Sequence, residues 1–197
     1  MVVDLDAVKE LRYRSGAGVL DCRKALSECD NDLEKAVDFL REKGLAKAAK
    51  KAGRTASEGR VFSYIHTNGK IGTLVELNCE TDFVARTDEF LDLGKEIAMH
   101  IAAAAPSYLT SEEVPQCDLD REKEIYRQQA IDEGKPEQIV DRIAEGRIAK
   151  FFEDSCLMEQ RYIRDPDKKI KDLVVQEIAK MGENIVVRRF ARFTIGE

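Results

Sequence analysis

Five cysteines and two histidines are the residues of this 197-residue chain whose side chains could act as nucleophiles or metal ligands. They are Cys22, Cys29, Cys79, Cys117, Cys156, His66 and His100. The number of cysteines is odd, no two of them have the CxxC spacing, and no cysteine and histidine stand as close in sequence as zinc ligands do. The pattern therefore indicates reduced thiols, no bound metal and no cofactor.

Catalytic chemistry has little support elsewhere in the sequence. There is no GxxxxGK[ST] phosphate loop, and no GxGxxG motif follows a strand. Gly16 and Gly18 stand between two predicted helices, which indicates a turn. Cys79 keeps an enzymatic alternative, because a histidine could approach it in the fold and act as its base. We expect no catalytic residue, and a depressed thiol pKa at Cys79 would be the sign of an enzyme.

The segment from Leu77 to Arg86 is the most distinctive in the chain, because it follows a predicted strand and leads into a predicted helix. Thr81 or Asp82 could cap a helical turn there. Two interpretations of Phe83 remain open. It is either a core anchor beside its cap, or an exposed aromatic next to an acid, which is typical of a binding hot spot.

Three short helices are predicted before Gly44, and the first of them begins at the candidate cap Asp4. The second carries an apolar stripe made of Val19, Cys22, Leu26 and Cys29. A helix-prone connector, rich in alanine and lysine, follows from 45 to 54. We expect residues 1–54 to form a three-helix module with this connector, and residues 55–197 to form the core domain.

The core domain is predicted to begin with a β-hairpin around Asn68-Gly69, the strongest short hairpin signal. The later predicted elements are a helix over 88–105, a helical, coiled-coil-like hairpin over about 118–153, a loop at 165–167, a helix over 169–181 and a strand over 184–193. Ile139, Ile143, Ile148 and Phe152 mark the second helix of the helical hairpin. The fold class is therefore α+β, with a three-stranded antiparallel sheet and packed helices.

Charge argues against direct nucleic-acid binding. The chain has 32 Lys and Arg against 38 Asp and Glu, which gives a net charge of −6. The connector carries four cations, Lys47, Lys50, Lys51 and Arg54, which would bind RNA only weakly, so a solvated face is the better interpretation. No apolar run is long enough to cross a membrane, and the N-terminus lacks the basic and apolar regions of a secretory signal. We expect a cytoplasmic protein.

Several segments, in the same order along nearly the whole chain, carry a resemblance to a known family. They are 11–26, 46–52, 76–86, 97–102, 133–136, 145–147 and 182–189. Thr81-Asp82-Phe83-Val84 after Glu76-Leu77-Asn78-Cys79-Glu80 is the most specific of them. Together they resemble the elongation factor Ts family, the guanine nucleotide exchange factor of the translational GTPase elongation factor Tu. The one local departure, Val19-Leu20 in place of the two methionines that are frequent in the family, conserves volume.

The resemblance implies which residues contact elongation factor Tu. A turn formed by Thr81, Asp82, Phe83 and Val84 would disturb the Mg²⁺ and phosphate end of its nucleotide site. The N-terminal module, which resembles a ubiquitin-associated domain, would bind the GTPase domain through a surface that contains Arg12, Gly16, Gly18, Val19 and Leu20. His66 occupies a place like that of a family histidine with the same partner; the alternative is an ordinary surface residue at the hairpin tip.

The length of the chain implies a homodimer. Longer family members carry two related halves of the core, whereas this chain resembles the short form, which supplies the second half by dimerisation. Some short members are linked by a disulfide, but no cysteine follows Cys156, so such a bond cannot involve the C-terminal strand. A helical adaptor is the competing class, because three-helix modules of this kind also occur in binding proteins. The large downstream core argues against it.

Overall fold

The computed structural model describes residues 3–196, so residues 1, 2 and 197, which begin and end the two predicted domains, lie outside the described residues. The described chain forms seven α-helices: α1 Leu5–Ser15, α2 Val19–Glu28, α3 Leu33–Ala49, α4 Asp88–Ala104, α5 Gln116–Asp132, α6 Glu137–Ser155 and α7 Ile170–Met181. Its strands are β1 Glu58–Ile65, β2 Ile71–Cys79, β3 Arg161–Tyr162, β4 Asp165–Lys169 and β5 Val186–Thr194. A three-stranded antiparallel sheet has the order β1-β2-β5, which confirms the predicted α+β class.

The chain divides into two compact units that are not simple halves of the sequence. The first contains the chain up to Arg60, together with Leu77–Leu93 and Asp172–Val186. The second contains Val61–Glu76, Gly94–Lys171 and the chain from Val187 onward. Among residues 3–196, no helix is long and apolar enough to cross a membrane.

Side-chain caps begin two of the three N-terminal helices of the first unit, and the first of them is the predicted cap. Asp4 caps α1 by accepting a hydrogen bond from the amide of Asp6 at 3.1 Å, and Asp32 caps α3 through the amide of Lys35 at 3.1 Å. Gly16 ends α1 with a φ of 66°, which glycine adopts without strain. The three helices enclose a core of Val8, Leu11, Cys22, Ala25, Leu26, Ala36 and Leu40. This arrangement fits the predicted module that resembles a ubiquitin-associated domain.

Two details of this module differ from the prediction. The third helix does not end at Gly44 but continues to Ala49, because strong helix formers follow the glycine and Lys43 and Lys47 both pair with Asp21 on α2. Val19 is not part of the buried stripe of α2. It stands at the first position of the helix and is exposed, while Cys22 and Leu26 are buried.

The part of the sheet that lies in the second unit packs its inner face on the part of α4 in the same unit. Thr73 is buried and its hydroxyl donates to the carbonyl of Ala98 at 2.9 Å. A Cβ atom at Gly94 would lie 2.3 Å from the Phe62 ring, so only glycine permits this close approach of helix and strand. Ile97 and Ile101 of α4 are fully buried, as their periodicity predicts.

The rest of the second unit contains two hairpins. Helices α5 and α6 form the predicted helical hairpin, with Pro136 immediately before α6. The buried side of α6 is Val140, Ala144 and Ile148, whereas Ile139, which the sequence pattern placed with the apolar residues of this helix, is exposed. The predicted loop at 165–167 is wrong, since Tyr162 pairs with Asp165 in a short β3–β4 hairpin. Strand β4 is too polar to show the alternation by which strands are identified.

Candidate functional site

The turn after β2 presents Phe83 to solvent. Its side chain is 79% exposed, and the 3-10 turn Val84–Arg86 follows it directly. The interpretation of Phe83 as a core anchor is therefore wrong, and its exposure is confirmed, while its role in binding stays a prediction. Because the ring stays in water in the free protein, its apolar surface would be buried only in a complex, where that burial is favourable.

Thr81 fixes the start of this turn. Its hydroxyl accepts a hydrogen bond from the amide of Val84 at 3.4 Å, so Thr81 rather than Asp82 caps the turn. Its carbonyl accepts from the amide of Ala85 at 3.3 Å and from the Cys79 thiol at 3.1 Å. The backbone on both sides of Phe83 is thus held by hydrogen bonds, while the ring itself is exposed.

Asp82 forms an ion pair with Arg86, one helical turn later. The guanidinium nitrogen lies 2.7 Å from the carboxylate, and both side chains are well exposed. An exposed pair of this kind contributes less than about 1 kcal/mol to folding. Its effect is to orient the Asp82 carboxylate beside Phe83 rather than to stabilise the fold.

The Cys79 thiol lacks the properties of a nucleophile. Cys79 is fully buried at the end of β2. Burial, followed by the negative charge of Glu183, raises the pKa of the thiol to about 11. The enzymatic alternative depended on a depressed pKa at this cysteine, so the structure removes its basis.

Cys79 should therefore react slowly with a thiol reagent at pH 7. With a pKa of about 11, roughly one thiol in ten thousand is ionised at that pH, and burial excludes the reagent as well. Cys117 is exposed on α5 and serves as the matched control, which should be labelled first. Peptide mass analysis over time separates the two sites. Labelling of Cys79 as fast as Cys117 in the folded protein would restore the enzymatic alternative.

The second predicted contact surface lies at the α1–α2 turn, also in the first unit. Arg12, Gly16, Gly18, Val19 and Leu20 are all exposed, and the Leu20 side chain is 81% exposed. The side-chain amide of Gln176 on α7 donates to the carbonyl of Ser15 at 3.0 Å, which holds the turn in place. The surface therefore combines the apolar side chains of Val19 and Leu20 with the basic Arg12, and α7 holds the turn through the Gln176 hydrogen bond.

His66 lies in the second unit, at the tip of the β1–β2 hairpin. It is exposed, and its Nδ1 atom lies 3.2 Å from the Tyr64 hydroxyl. The Asn-Gly turn forms next to it as predicted, with the amide of Gly69 bonded to the carbonyl of His66 at 2.7 Å. This position leaves both interpretations of His66 open, as a contact or as an ordinary surface residue.

Most cations of the basic connector are engaged within the first unit. Lys47 pairs with Asp21, Arg54 lies 3.5 Å from the Glu80 carboxylate, and the Lys51 ammonium donates to the carbonyl of Gly182. Less positive charge is therefore available for phosphate groups than the sequence indicates. Within residues 3–196, no group of three or more His, Cys, Asp or Glu side chains is arranged to hold a metal ion.

Sequence reasoning missed Glu183, whose carboxylate bonds the turn that carries Phe83. Its Oε2 atom accepts hydrogen bonds from the amides of Glu80 at 3.1 Å and Thr81 at 3.0 Å, and its Oε1 atom accepts from the Thr81 hydroxyl at 2.7 Å. A carboxylate directly after the helix-ending Gly182 is the one local signal, and it does not identify these partners.

Comparison with known proteins gives one consistent result. A sequence profile described as Elongation factor TS matches residues 20–197. The chain is 62% identical over 196 residues to elongation factor Ts of Thermoanaerobacter sp. (strain X514), covering 100% of this chain and 96% of that protein. It is 57% identical to elongation factor Ts of Fervidobacterium nodosum over 197 residues, which covers 100% of both chains.

Proposed function

The chain belongs to the elongation factor Ts family, and we propose that it accelerates the release of GDP from elongation factor Tu. The observation that carries the proposal is Phe83, an exposed aromatic on a turn whose backbone is fixed by hydrogen bonds. Such a residue can enter a partner with little loss of its own conformational entropy. The reaction needs no covalent chemistry, because exchange follows from differential binding alone.

The energetics require only a modest difference in affinity. A factor that binds the nucleotide-free GTPase more tightly than the GDP-bound form must weaken GDP by the same ratio. A hundredfold weakening of GDP affinity corresponds to about 2.7 kcal/mol of differential binding. Burial of one aromatic hot spot together with its neighbouring acid supplies energy of that order.

The two exposed sites of the first unit would divide the work. The α1–α2 surface, with Arg12, Val19 and Leu20, would bind the GTPase domain and supply affinity for both nucleotide states. Asp82 and Phe83, held by Thr81 and Val84, would then act at the Mg²⁺ and phosphate end of the nucleotide site. His66 would add a contact from the hairpin tip. Residues 1–54 and 55–197 are proposed as the binding and exchange parts of this division.

Release of a fluorescent GDP analogue from elongation factor Tu tests the proposal directly. With unlabelled GDP in excess, the wild-type protein should accelerate release about a hundredfold. A second measurement uses reciprocity: added GDP should dissociate the complex of the two proteins. The factor by which GDP weakens the affinity of this protein for elongation factor Tu should equal the factor by which this protein weakens the affinity for GDP. Release that is as slow with this protein as without it would refute the function.

We also propose a homodimer that forms through the outer face of the three-stranded sheet. Four exposed apolar side chains surround one shallow cleft on this face, and we call them the apolar sheet face: Ile65, Leu74, Phe193 and Ile195. Because β1 and β5 are edge strands, the sheet is also open on both sides. A second copy related by a two-fold axis would cover this face with the same residues.

The location expected for this protein is the cytoplasm, as for a translation factor. Its partners would be elongation factor Tu and a second copy of itself. No part of the proposed mechanism uses a membrane, a nucleic acid, a metal site of this chain or a cofactor.

A further inference from the structure

We propose that Glu183 is a positioning residue that holds the Asp82–Phe83 turn in its binding conformation. The carboxylate of Glu183 follows the end of α7 and lies in the same compact unit as the turn. Its two oxygens accept from the Thr81 amide at 3.0 Å and the Thr81 hydroxyl at 2.7 Å. The inference rests on the proposed function, since it assigns a role within the same site.

The contact is reciprocal, which makes it a defined joint between two segments. Glu183 accepts from the amide of Glu80 at 3.1 Å, and the Glu80 carboxylate accepts from the amide of Asn184 at 2.6 Å. The Asn184 side chain also donates to the carbonyl of Arg54 at 2.8 Å. Charge-assisted bonds to backbone amides are stronger than neutral ones, so this joint restrains the chain just before Asp82.

The restraint is passed to Phe83 through the Thr81 hydroxyl. That hydroxyl has one hydrogen, which it donates to Glu183, so its lone pairs face the amide of Val84 at 3.4 Å. Asp82 and Phe83 lie between these two fixed points. Without Glu183 the hydroxyl can rotate, and the turn that carries Phe83 loses its anchor.

The consequence is a turn that is ordered before the partner arrives. A loop that must be ordered on binding subtracts that entropy from the affinity. In the proposed mechanism the Phe83 ring must reach the Mg²⁺ and phosphate end of the nucleotide site. A mobile turn would therefore lower the rate of nucleotide exchange even though the ring itself is unchanged. Glu183 touches the turn and is not proposed to touch elongation factor Tu.

Glu183→Ala, Glu183→Gln and the control Glu42→Ala, an exposed carboxylate on α3 of the same unit, test this role. Hydrogen exchange of the amides of 80–84 in the free protein should accelerate about tenfold in Glu183→Ala, while α4 amides stay protected. Glu183→Gln should fall between, because it keeps one oxygen acceptor. GDP release from elongation factor Tu should slow about fivefold in Glu183→Ala, with Glu42→Ala like the wild type.

Combining Glu183→Ala with Phe83→Ala separates positioning from a general loss of stability. If Glu183 acts through Phe83, its removal should change GDP release less than twofold when Phe83 is already alanine. An equal fivefold effect in both backgrounds would overturn the proposal, as would unchanged hydrogen exchange at 80–84. If the wild-type protein does not accelerate the release of GDP from elongation factor Tu, the proposed function fails. The hydrogen exchange result still decides whether Glu183 orders the turn.

Discussion

Replacing Phe83 by alanine should slow release of GDP from elongation factor Tu tenfold or more, with the melting temperature within a few degrees of the wild type. The ring is 79% exposed, so its removal leaves no cavity, and exposed substitutions rarely cost more than about 1 kcal/mol of stability. Tenfold slower release corresponds to an activation free energy that is about 1.4 kcal/mol higher. Thermal melts and stopped-flow release on one preparation measure both quantities.

Phe90 provides the matched control, because it is the same residue type seven positions later and is fully buried. Phe90→Ala should cost about 3–5 kcal/mol of unfolding free energy through the cavity it leaves. Asp82→Ala should resemble Phe83→Ala, and the double variant should lose less than the sum, since both side chains stand on one turn. A large fall in melting temperature for Phe83→Ala, or unchanged release, would remove Phe83 from the mechanism.

Local sequence patterns are sufficient to predict most of the helices and strands. The helix α4 repeats apolar residues at helical spacing, and Phe90, Ile97 and Ile101 are buried as that spacing requires. The Asn68-Gly69 pair and the glycine at 182 mark a hairpin and a helix end through backbone conformations that they adopt readily. Each of these features is determined by residues that are close to each other in the sequence.

The exposure of Phe83 could not be predicted from local pattern. It stands in a short turn, where neither helical nor strand periodicity applies, so burial depends on which distant segments pack nearby. Gly44 shows the same limit. Glycine is unfavourable inside a helix, yet α3 runs through Gly44, where a Cβ atom would lie at an ordinary contact distance of 3.6 Å from the Ala179 side chain. The helix continues with the support of contacts outside α3, such as the ion pairs of Lys43 and Lys47 with Asp21.

The candidate site was predicted as a set of residues, but not as a structure. Family resemblance identifies Asp82 and Phe83, and it adds the surface around Leu20. It gives no reason for Glu183, whose hydrogen-bond partners Glu80 and Thr81 are 103 and 102 residues away in the chain. Such a contact is a property of the tertiary fold, and no local propensity encodes it.

The oligomeric state should change from dimer to monomer when the apolar sheet face receives a charge. Phe193→Asp places a carboxylate where two copies would bury apolar side chains, and an unpaired charge there is strongly unfavourable. Phe193 is exposed in the single chain, so the monomer itself should stay folded. Light scattering at micromolar concentration should report twice 22.3 kDa for the wild type and 22.3 kDa for the variant.

Ile139→Asp is the control for this experiment, because it also replaces an exposed, large apolar side chain by an acid, but on α6 rather than on a strand of the sheet. It should leave the dimer intact. A reducing agent should also have no effect, since the five cysteines are free thiols and none lies in β5 or the apolar sheet face. Wild-type protein of 22.3 kDa at these concentrations would contradict the dimer. Dissociation by reduction alone would instead place the interface at an exposed cysteine such as Cys117.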